Sequence, residues 1–337
     1  MIENPFLSIV CVTYNHEQYI ARAIEGFLMQ KTTFPVEILI GEDCSTDRTR
    51  EICIEYQKKY PEKIKLFLRE KNLGAMANHL SVIEECRGKY VANCEGDDYW
   101  TDPLKLQKQV DFLETHPDYS ISSHNVLVVY EGTDKPSVQW TRKWARKSQG
   151  TGVTLEDILK DGGGASGSLV FRNRVFGDFP SWFRDQKGGD WSLQILCASK
   201  GKMKYFLEVM GVYRIHAGGA FAAAVDKTQK EQKDLIAYLY ESMDRLIEAL
   251  DAHFEHKYTK LLDISRDYNN LNAFSAYSRR GDILNAKKYA KRLLPVLSHF
   301  PVVIIVKVLA KLFVVYLLPS KAISNLLSFL KKQASHE

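Results

Sequence analysis

Apolar and polar positions alternate in blocks along the N-terminal part of the chain, and each block predicts a strand or a helix. Short apolar runs typical of buried strands lie at residues 7–12, 36–40, 64–68 and 90–94. Between these runs, apolar side chains recur at the spacing of one helix face, for example at Ile20, Ile24 and Phe27. Strands that alternate with helices predict βαβ units, so we expect an α/β fold with a mostly parallel sheet flanked by helices.

The rest of the chain predicts further strands and then a helical region. Short strands are expected at residues 119–130, 168–171 and 204–207, and from Asp226 onward the pattern is helical to the end. A chain of 337 residues is long enough for one large domain and a smaller one. We therefore predict an α/β domain over residues 1–222 and an α-helical C-terminal region over residues 223–337.

Polar clusters follow three of the predicted strands. In parallel sheets, ligands bind outside the carboxyl ends of the strands. We therefore expect three segments to meet at one edge of the sheet: Thr13-Tyr14-Asn15, Glu42-Asp43 and Glu95-Gly96-Asp97-Asp98.

The segment from Glu95 to Asp98 points most clearly to chemistry. Carboxylates this close would repel one another if they were left unpaired, and a divalent cation removes that cost. Hard oxygen ligands favour Mg²⁺ or Mn²⁺, which commonly share their coordination with substrate phosphates. The alternative is a loop whose acids cap the next helix, but Asp102 can fill that position, so metal binding is the favoured interpretation.

Four motifs in order resemble those of family 2 glycosyltransferases. Residues 12–15 read Val-Thr-Tyr-Asn, residues 42–47 Glu-Asp-Cys-Ser-Thr-Asp, residues 72–74 Asn-Leu-Gly and residues 95–98 Glu-Gly-Asp-Asp. One such motif is a weak signal, whereas four in order are specific, and the similarity extends to about residue 220. The resemblance implies the Rossmann-like GT-A fold, a nucleotide-sugar donor, Mn²⁺ or Mg²⁺ as cofactor, and inversion at the sugar carbon.

The resemblance also assigns roles to matching positions. The donor-binding residues it implies are Thr13, Tyr14, Asn15, Glu42, Asp43, Asn72, Gly74, Glu95, Asp97 and Arg214. The metal ligands it implies are Asp97, Asp98 and His216. Glu95 stands where the family usually has Asp, and its side chain is longer by one methylene. Asp43 has an alternative role as a cap for the helix that follows it, although Ser45 can supply that cap.

The resemblance places the catalytic base in a second motif, Gly-Gly-Asp-Trp at residues 188–191. Asp190 would accept the proton of the attacking sugar hydroxyl, because a hydroxyl group is a poor nucleophile on its own. The family usually has a second acid where Gly189 stands. The alternative is that Asp190 caps the helix over residues 191–199. Trp182 and Trp191 are the candidate acceptor-binding residues, and a core role for Trp182 is an equal alternative.

One glycine pattern points elsewhere and is rejected. Gly162, Gly164 and Gly167 match the G-x-G-x-x-G fingerprint of dinucleotide-binding sites. That fingerprint needs a strand before it and a helix after it, whereas here residues 155–159 predict a helix and residues 168–171 a strand. We therefore expect no nicotinamide site.

The C-terminal residues predict contact with a membrane surface. Residues 300–318 are strongly apolar, but Lys307 and Lys311 interrupt them, which favours an interfacial helix over a membrane span. The alternative is a core helix that packs on the α/β domain. The chain has a net charge of +5, yet nine of its basic residues and only one acid follow Ala286.

The six cysteines form no C-x-x-C pair and no signal peptide is evident, so we expect a cytoplasmic protein, peripheral on the cytoplasmic face of the inner membrane.

The predicted function is transfer of a sugar, with a UDP-sugar as the expected donor, to a glycan or lipid-linked acceptor. The resemblance suggests bacterial surface-polysaccharide assembly as the setting. One alternative is a sugar-nucleotide pyrophosphorylase, which would need a basic, glycine-rich loop directly after the first strand. Another is a non-enzymatic, basic-tailed nucleic-acid-binding protein, but aromatic residues for base stacking are sparse near the tail, so no nucleic-acid partner is expected.

Overall fold

A computed structural model describes residues 2–140, 145, 149–185, 189–216, 218–219, 229–279 and 282–317. Gly188 and the end of the predicted membrane-binding tail, residues 318–337, lie outside the described residues. The chain divides into two compact units, Met1–Asp226 and Lys227–Glu337.

The first unit is built on a sheet of nine strands. In chain order the strands are β1 Leu7–Thr13, β2 Val36–Glu42, β3 Ile64–Leu68, β4 Tyr90–Asn93, β5 Tyr99–Trp100, β6 Tyr119–Tyr130, β7 Val138–Gln139, β8 Val170–Arg172 and β9 Lys202–Ile215. Their spatial order is β3-β2-β1-β4-β8-β6-β9-β5, and β7 pairs with β6. The α-helices in the described part of this unit are α1 Ile20–Leu28, α2 Thr49–Lys59, α3 Ala75–Ile83, α4 Lys105–Thr115, α5 Leu155–Asp161 and α6 Gly189–Ala198.

The first four strands form the parallel half of the sheet, as the βαβ pattern predicts. β1 pairs in parallel with β2 and with β4, and β2 pairs in parallel with β3. Leu7, Ile9, Val10 and Cys11 of β1 are all buried, because a strand covered on both faces carries a continuous apolar run. The α/β fold class with a helical C-terminal region is therefore confirmed.

The second half of the sheet is mixed in direction. β8 lies between β4 and β6 and is antiparallel to both, while β6 and β9 run parallel with register shifts near His124 and Asn125. β9 extends well beyond the predicted 204–207 segment, and this brings Arg214 and His216 to the edge of the sheet. The rejected glycine pattern lies between helix α5 and strand β8, the reverse of a dinucleotide-binding unit.

Lys105, the first residue of α4, is buried inside the first unit. Lys105 is fully buried, and its Nζ atom has no hydrogen-bond partner among the described residues. The Nζ atom lies 4.1 Å from the centroid of the Trp100 ring. Burial lowers the pKa of Lys105 from 10.5 to about 7, because an ammonium group loses its hydration in the interior.

The second unit consists of helices in its described part. They are α7 Gln229–His253, α8 Thr259–Arg279, α9 Ile283–Leu293 and α10 Val302–Leu317. The rings of Tyr277 on α8 and Tyr289 on α9 stack with their centroids 5.6 Å apart. Val308 and Leu312 of α10 are buried in the same apolar cluster. Among the described residues, none of the helices combines the length and the apolar character that crossing a membrane requires.

Candidate active site

The carboxyl ends of β1, β2 and β4 meet, as the sequence predicts. The backbone N–H of Asp43 donates to the carbonyl of Thr13 at 3.0 Å, and that of Gly96 donates to the carbonyl of Val12 at 2.9 Å. Position 96 requires glycine, because a Cβ atom there would lie 2.6 Å from Thr13 Oγ1. Three of the segments predicted to bind the donor therefore share one edge of the sheet.

Asp43 organises the predicted donor loop at residues 72–74. Its carboxylate accepts the N–H of Leu73 at 2.8 Å and that of Gly74 at 2.9 Å. Asn72 closes the arrangement: its side-chain amide donates to the Asp43 carbonyl at 3.2 Å. Gly74, with φ of 86°, directly precedes α3. The Asp43 carboxylate therefore lies at the start of α3 and retains lone pairs for a ligand donor.

The cap predicted for α2 is supplied by a different residue. Ser45 Oγ accepts the N–H of Asn15 at 3.0 Å rather than capping a helix. Asp47 Oδ1 accepts the N–H of Thr49, the first residue of α2, at 3.0 Å. The expectation that Asp43 or Ser45 caps α2 is wrong, because the helix begins four residues after Ser45. Asn15 instead uses its Oδ1 to accept the N–H of Thr46 at 2.8 Å.

The remaining predicted donor residues at this edge differ in exposure. Glu42 is fully buried, and its carboxylate accepts from Arg50 Nε at 2.5 Å and from the Ser45 N–H at 2.6 Å. Glu42 therefore cannot contact a nucleotide-sugar donor directly, and it acts on the donor-binding edge only by holding the loop that contains Ser45. Thr13 is buried, whereas Tyr14 has 42% of its surface exposed. Tyr14 thus offers an aromatic surface directly beyond β1.

Two histidines and one aspartate gather beside these segments. The Nε2 atom of His216 lies 3.1 Å from Asp97 Oδ2, and that of His16 lies 3.7 Å from the same oxygen. One candidate ligand atom from each residue falls within 4.8 Å of the other two. His16 lies beyond the end of β1 and His216 directly after β9, so two distant parts of the chain bring their imidazoles to one carboxylate.

The electrostatics of this cluster suit a metal ion. Burial lowers the pKa of His16, which favours the neutral imidazole that can bind a metal. Burial acts against ionisation of Asp97, but the His216 hydrogen bond and the nearby His16 hold the pKa of Asp97 below its usual range. His16 Nδ1 is buried and has no hydrogen-bond partner among the described residues. The imidazoles of His16 and His216 and the ionised carboxylate of Asp97 form a donor set that fits a divalent cation.

Asp98 does not join this cluster. Its Oδ1 atom accepts the backbone N–H of Arg214 at 2.8 Å, in a buried position. Burial, reinforced by the charges of Asp97 and Glu95, raises the pKa of Asp98 well above its ordinary value. Asp97 and Asp98 are adjacent but face different surroundings. In the described chain, the group that could hold a metal contains His16 where the sequence predicts Asp98.

Arg214 holds the loop that carries Asp97 through a backbone contact. Its guanidinium donates to the Asp97 carbonyl at 2.6 Å and pairs with Glu131 at 3.1 Å. The guanidinium also lies 4.3 Å from the centroid of the Tyr99 ring. Because Arg214 is buried and engaged in these contacts, it offers little surface to a phosphate, and it holds the loop that carries Asp97 against β9.

Asp190 lies in the first turn of α6, exposed and within electrostatic reach of Glu95. Burial raises the pKa of Glu95 to about 7, with smaller contributions from the charges of Asp97 and Asp190, and a hydrogen bond from Ser166 opposes the rise. The missing second acid has a steric explanation. A Cβ atom on Gly189 would lie 1.9 Å from the Cε atom of Met76, so no side chain fits there unless Met76 moves.

The two candidate acceptor residues are both half-buried. Trp191 follows Asp190 in α6, and its Nε1–H donates to the carbonyl of Ile158 at 3.2 Å. Trp182 lies in the short 3₁₀ helix Ser181–Asp185, with its ring centroid 5.9 Å from that of Phe183. Each therefore has a packing partner and a part of its surface open to solvent.

Comparison with known proteins identifies the family. The model of glycosyl transferase family 2 matches residues 8–177, just over half of the chain. The chain belongs to glycosyl transferase family 2. An uncharacterized protein of Mycobacterium tuberculosis is 36% identical over 252 residues, which cover 74% of this chain and 70% of that relative. The protein is therefore a glycosyltransferase.

Two solved structures share the fold of this glycosyltransferase. TarS of S. aureus, solved in complex with UDP-GlcNAc, gives a TM-score of 0.52 at 17% identity over 84% of this chain and 90% of that one. The mannosyltransferase PcManGT of Pyrobaculum calidifontis, solved with GDP-Man and Mn²⁺, gives 0.54 at 13% identity over 98% and 86%. At these identities the similarity establishes the GT-A fold.

Proposed function

We propose that this glycosyltransferase moves one sugar, with inversion, from a nucleoside diphosphate donor to a glycan or lipid-linked acceptor. The observation that carries the proposal is the cluster of His16, Asp97 and His216 beside the segments that resemble the family's donor-binding motifs. Both structural neighbours were solved with a nucleotide sugar, which supports this class of donor. A UDP-sugar is the donor we expect.

We propose that Asp97, His216 and His16 hold the divalent ion. The donor set of two imidazoles and one carboxylate favours Mn²⁺ over Mg²⁺, because Mg²⁺ takes oxygen ligands almost exclusively. A bound ion would offset the negative charge that develops on the departing diphosphate. Asp98 would contribute indirectly, since its contact with the Arg214 N–H fixes the backbone that carries Asp97.

Asp190 is the proposed general base. Its carboxylate accepts the proton of the acceptor hydroxyl while the hydroxyl oxygen bonds to C1 of the donor sugar and the bond from C1 to the diphosphate breaks. Attack from the face opposite the diphosphate inverts the configuration at C1. The exposed position of Asp190, and the effect of its charge on Glu95, support a site between donor and acceptor.

The chain's setting is proposed as the cytoplasmic face of a membrane, in assembly of a bacterial surface polysaccharide. All six cysteines are free thiols, and five of them are buried, which is consistent with a reducing compartment. The basic, apolar C-terminal region supports peripheral contact with an anionic membrane surface. No observation favours the pyrophosphorylase or the nucleic-acid-binding alternative.

The reaction can be tested by measuring release of nucleoside diphosphate from UDP-glucose, UDP-GlcNAc and GDP-mannose. Octyl glycosides serve as simple lipid-like acceptors, and each reaction is run with Mn²⁺, with Mg²⁺ and with a chelator. We expect metal-dependent release from one donor, and NMR should show a β-linked product from an α-linked donor. Release that survives chelation would contradict the metal, and an α-linked product would contradict inversion.

A further inference from the structure

Helix α10 has two apolar faces, and only one of them is used inside the second unit. Val308 and Leu312 are buried in the cluster formed with α8 and α9. A second stripe of the helix carries Val302, Val306 and Leu309, which are exposed by 73%, 59% and 49%. These positions follow the i, i+4, i+7 spacing of one helix stripe, so the exposed side chains form a continuous apolar strip.

The sequence of α9 and α10 is rich in basic residues. Residues 283–312, which span α9 and the described side chains of α10, include six lysines and arginines and no aspartate or glutamate. Two of the six, Lys288 and Arg292, pair with Glu241 and Asp244 of α7. Lys307 is exposed on α10 itself, one residue after Val306. An apolar strip accompanied by positive charge matches the interface of an anionic bilayer, where apolar side chains insert beside the headgroups and lysines meet lipid phosphates.

A second copy of the chain fits the strip less well. A stable protein interface buries about 800 Å² on each partner, which is more than a strip of valine-sized side chains offers. Pairing two such strips would also bring Lys307 of each copy close to like charges, and like-charge contacts disfavour association.

We propose that the α10 strip, Val302, Val306 and Leu309, is the surface by which the second unit lies on an anionic membrane. The helix would lie parallel to the membrane plane with its inner face still packed on α8 and α9. This inference rests on the peripheral association proposed above and locates it on one helix face. It does not depend on the transfer chemistry.

The test uses the full-length protein and its co-sedimentation with vesicles of phosphatidylcholine containing 30% phosphatidylglycerol. A triple variant, Val302→Gln, Val306→Gln and Leu309→Gln, keeps good helix formers on α10 and should bind at least tenfold more weakly. The matched control, Val138→Gln, Leu104→Gln and Leu207→Gln, changes three exposed apolar side chains of the first unit and should bind like the unmodified chain. Binding should also fall in high salt and on neutral vesicles.

Each other result would overturn the proposal. The proposal fails if the unmodified chain does not sediment with anionic vesicles, or if the α10 variant binds as well as the control. An α10-dependent dimer in analytical ultracentrifugation, without vesicle binding, would assign the strip to a second copy. Nucleotide binding separates the two proposals: vesicle binding without nucleotide binding refutes the proposed donor site alone, and the reverse refutes the membrane surface alone.

Discussion

Replacing Lys105 with methionine should make the folded protein more stable near neutral pH. The lysine begins α4 and is fully buried against the ring of Trp100 in β5. Its Nζ atom lacks a hydrogen-bond partner among the described residues. Methionine has a similar length, is flexible enough to fill the same space and carries no charge to desolvate. The substitution therefore removes an electrostatic cost while keeping most of the packing.

The size of the effect follows from the pKa. A lysine with a pKa of about 7 instead of 10.5 prefers the neutral amine in the folded state by about 5 kcal/mol, at 1.36 kcal/mol per pH unit. At pH 7.5 the unfolded chain is protonated and the folded chain is mostly not, so burial of the amine costs about 4 kcal/mol. With some loss to repacking, Lys105→Met should stabilise the protein by about 3 kcal/mol.

The stability gained by Lys105→Met should depend on pH. Between pH 7 and 10.5 the unfolded state binds one more proton at this lysine than the folded state, so its contribution to stability rises with pH. The advantage of Lys105→Met should therefore shrink by about 2 kcal/mol from pH 6.5 to pH 8.5. Urea unfolding followed by circular dichroism measures both quantities.

Lys108 provides the control on the same helix. It pairs with Asp102 at 2.8 Å and with Glu208 at 3.0 Å, and these contacts raise its pKa. Lys108→Met should therefore give no stabilisation. A Lys105→Met variant that is less stable than the unmodified chain at pH 7, or whose advantage does not change with pH, would refute the account of a buried, uncompensated lysine.

Three further predictions concern the site. Asp190→Asn should abolish transfer while nucleotide affinity, measured by calorimetry, stays within a factor of two; an equal loss of donor affinity would overturn the assignment of the base. His16→Ala should weaken Mn²⁺ binding at least tenfold in electron paramagnetic resonance titrations, whereas unchanged affinity would remove His16 from the ligand set. Gly189→Ala should lower the melting temperature because its Cβ meets Met76, and Met76→Ala should restore it; a neutral Gly189→Ala would show that the contact is not tight.

The sequence was sufficient to predict which segments meet at the candidate site. Each strand from β1 to β4 is a short apolar run, and the polar residues that follow β1, β2 and β4 meet because parallel strands present their carboxyl ends on one side. Asp97 and His216 could be proposed as partners only from the family resemblance, since 119 residues separate them. The structure brings them together because β9 is much longer than its apolar pattern indicates.

Other features depend on contacts that no local pattern encodes. His16 was missed, although it directly follows the Thr-Tyr-Asn motif, because a lone histidine beyond a strand has no periodic signal. Asp97 and Asp98 are equivalent in sequence, and only the approach of the Arg214 N–H distinguishes the buried Asp98 carboxylate from the partly buried Asp97 carboxylate that faces the two histidines. The helix stabilised by Asp43 could not be predicted either, because the contact joins residues about 30 positions apart.

The central claim is that Asp97 and its two histidines hold a divalent ion that donor binding requires. Calorimetric titration of UDP, with GDP and dTDP as controls, tests it most directly when run with and without Mn²⁺ on the unmodified chain and on Asp97→Ala. The account predicts that UDP binds only when Mn²⁺ is present and that Asp97→Ala, folded by circular dichroism, loses this binding. Equal UDP affinity without the metal or in the variant would contradict the metal site, and failure of every nucleotide to bind would contradict the donor site itself.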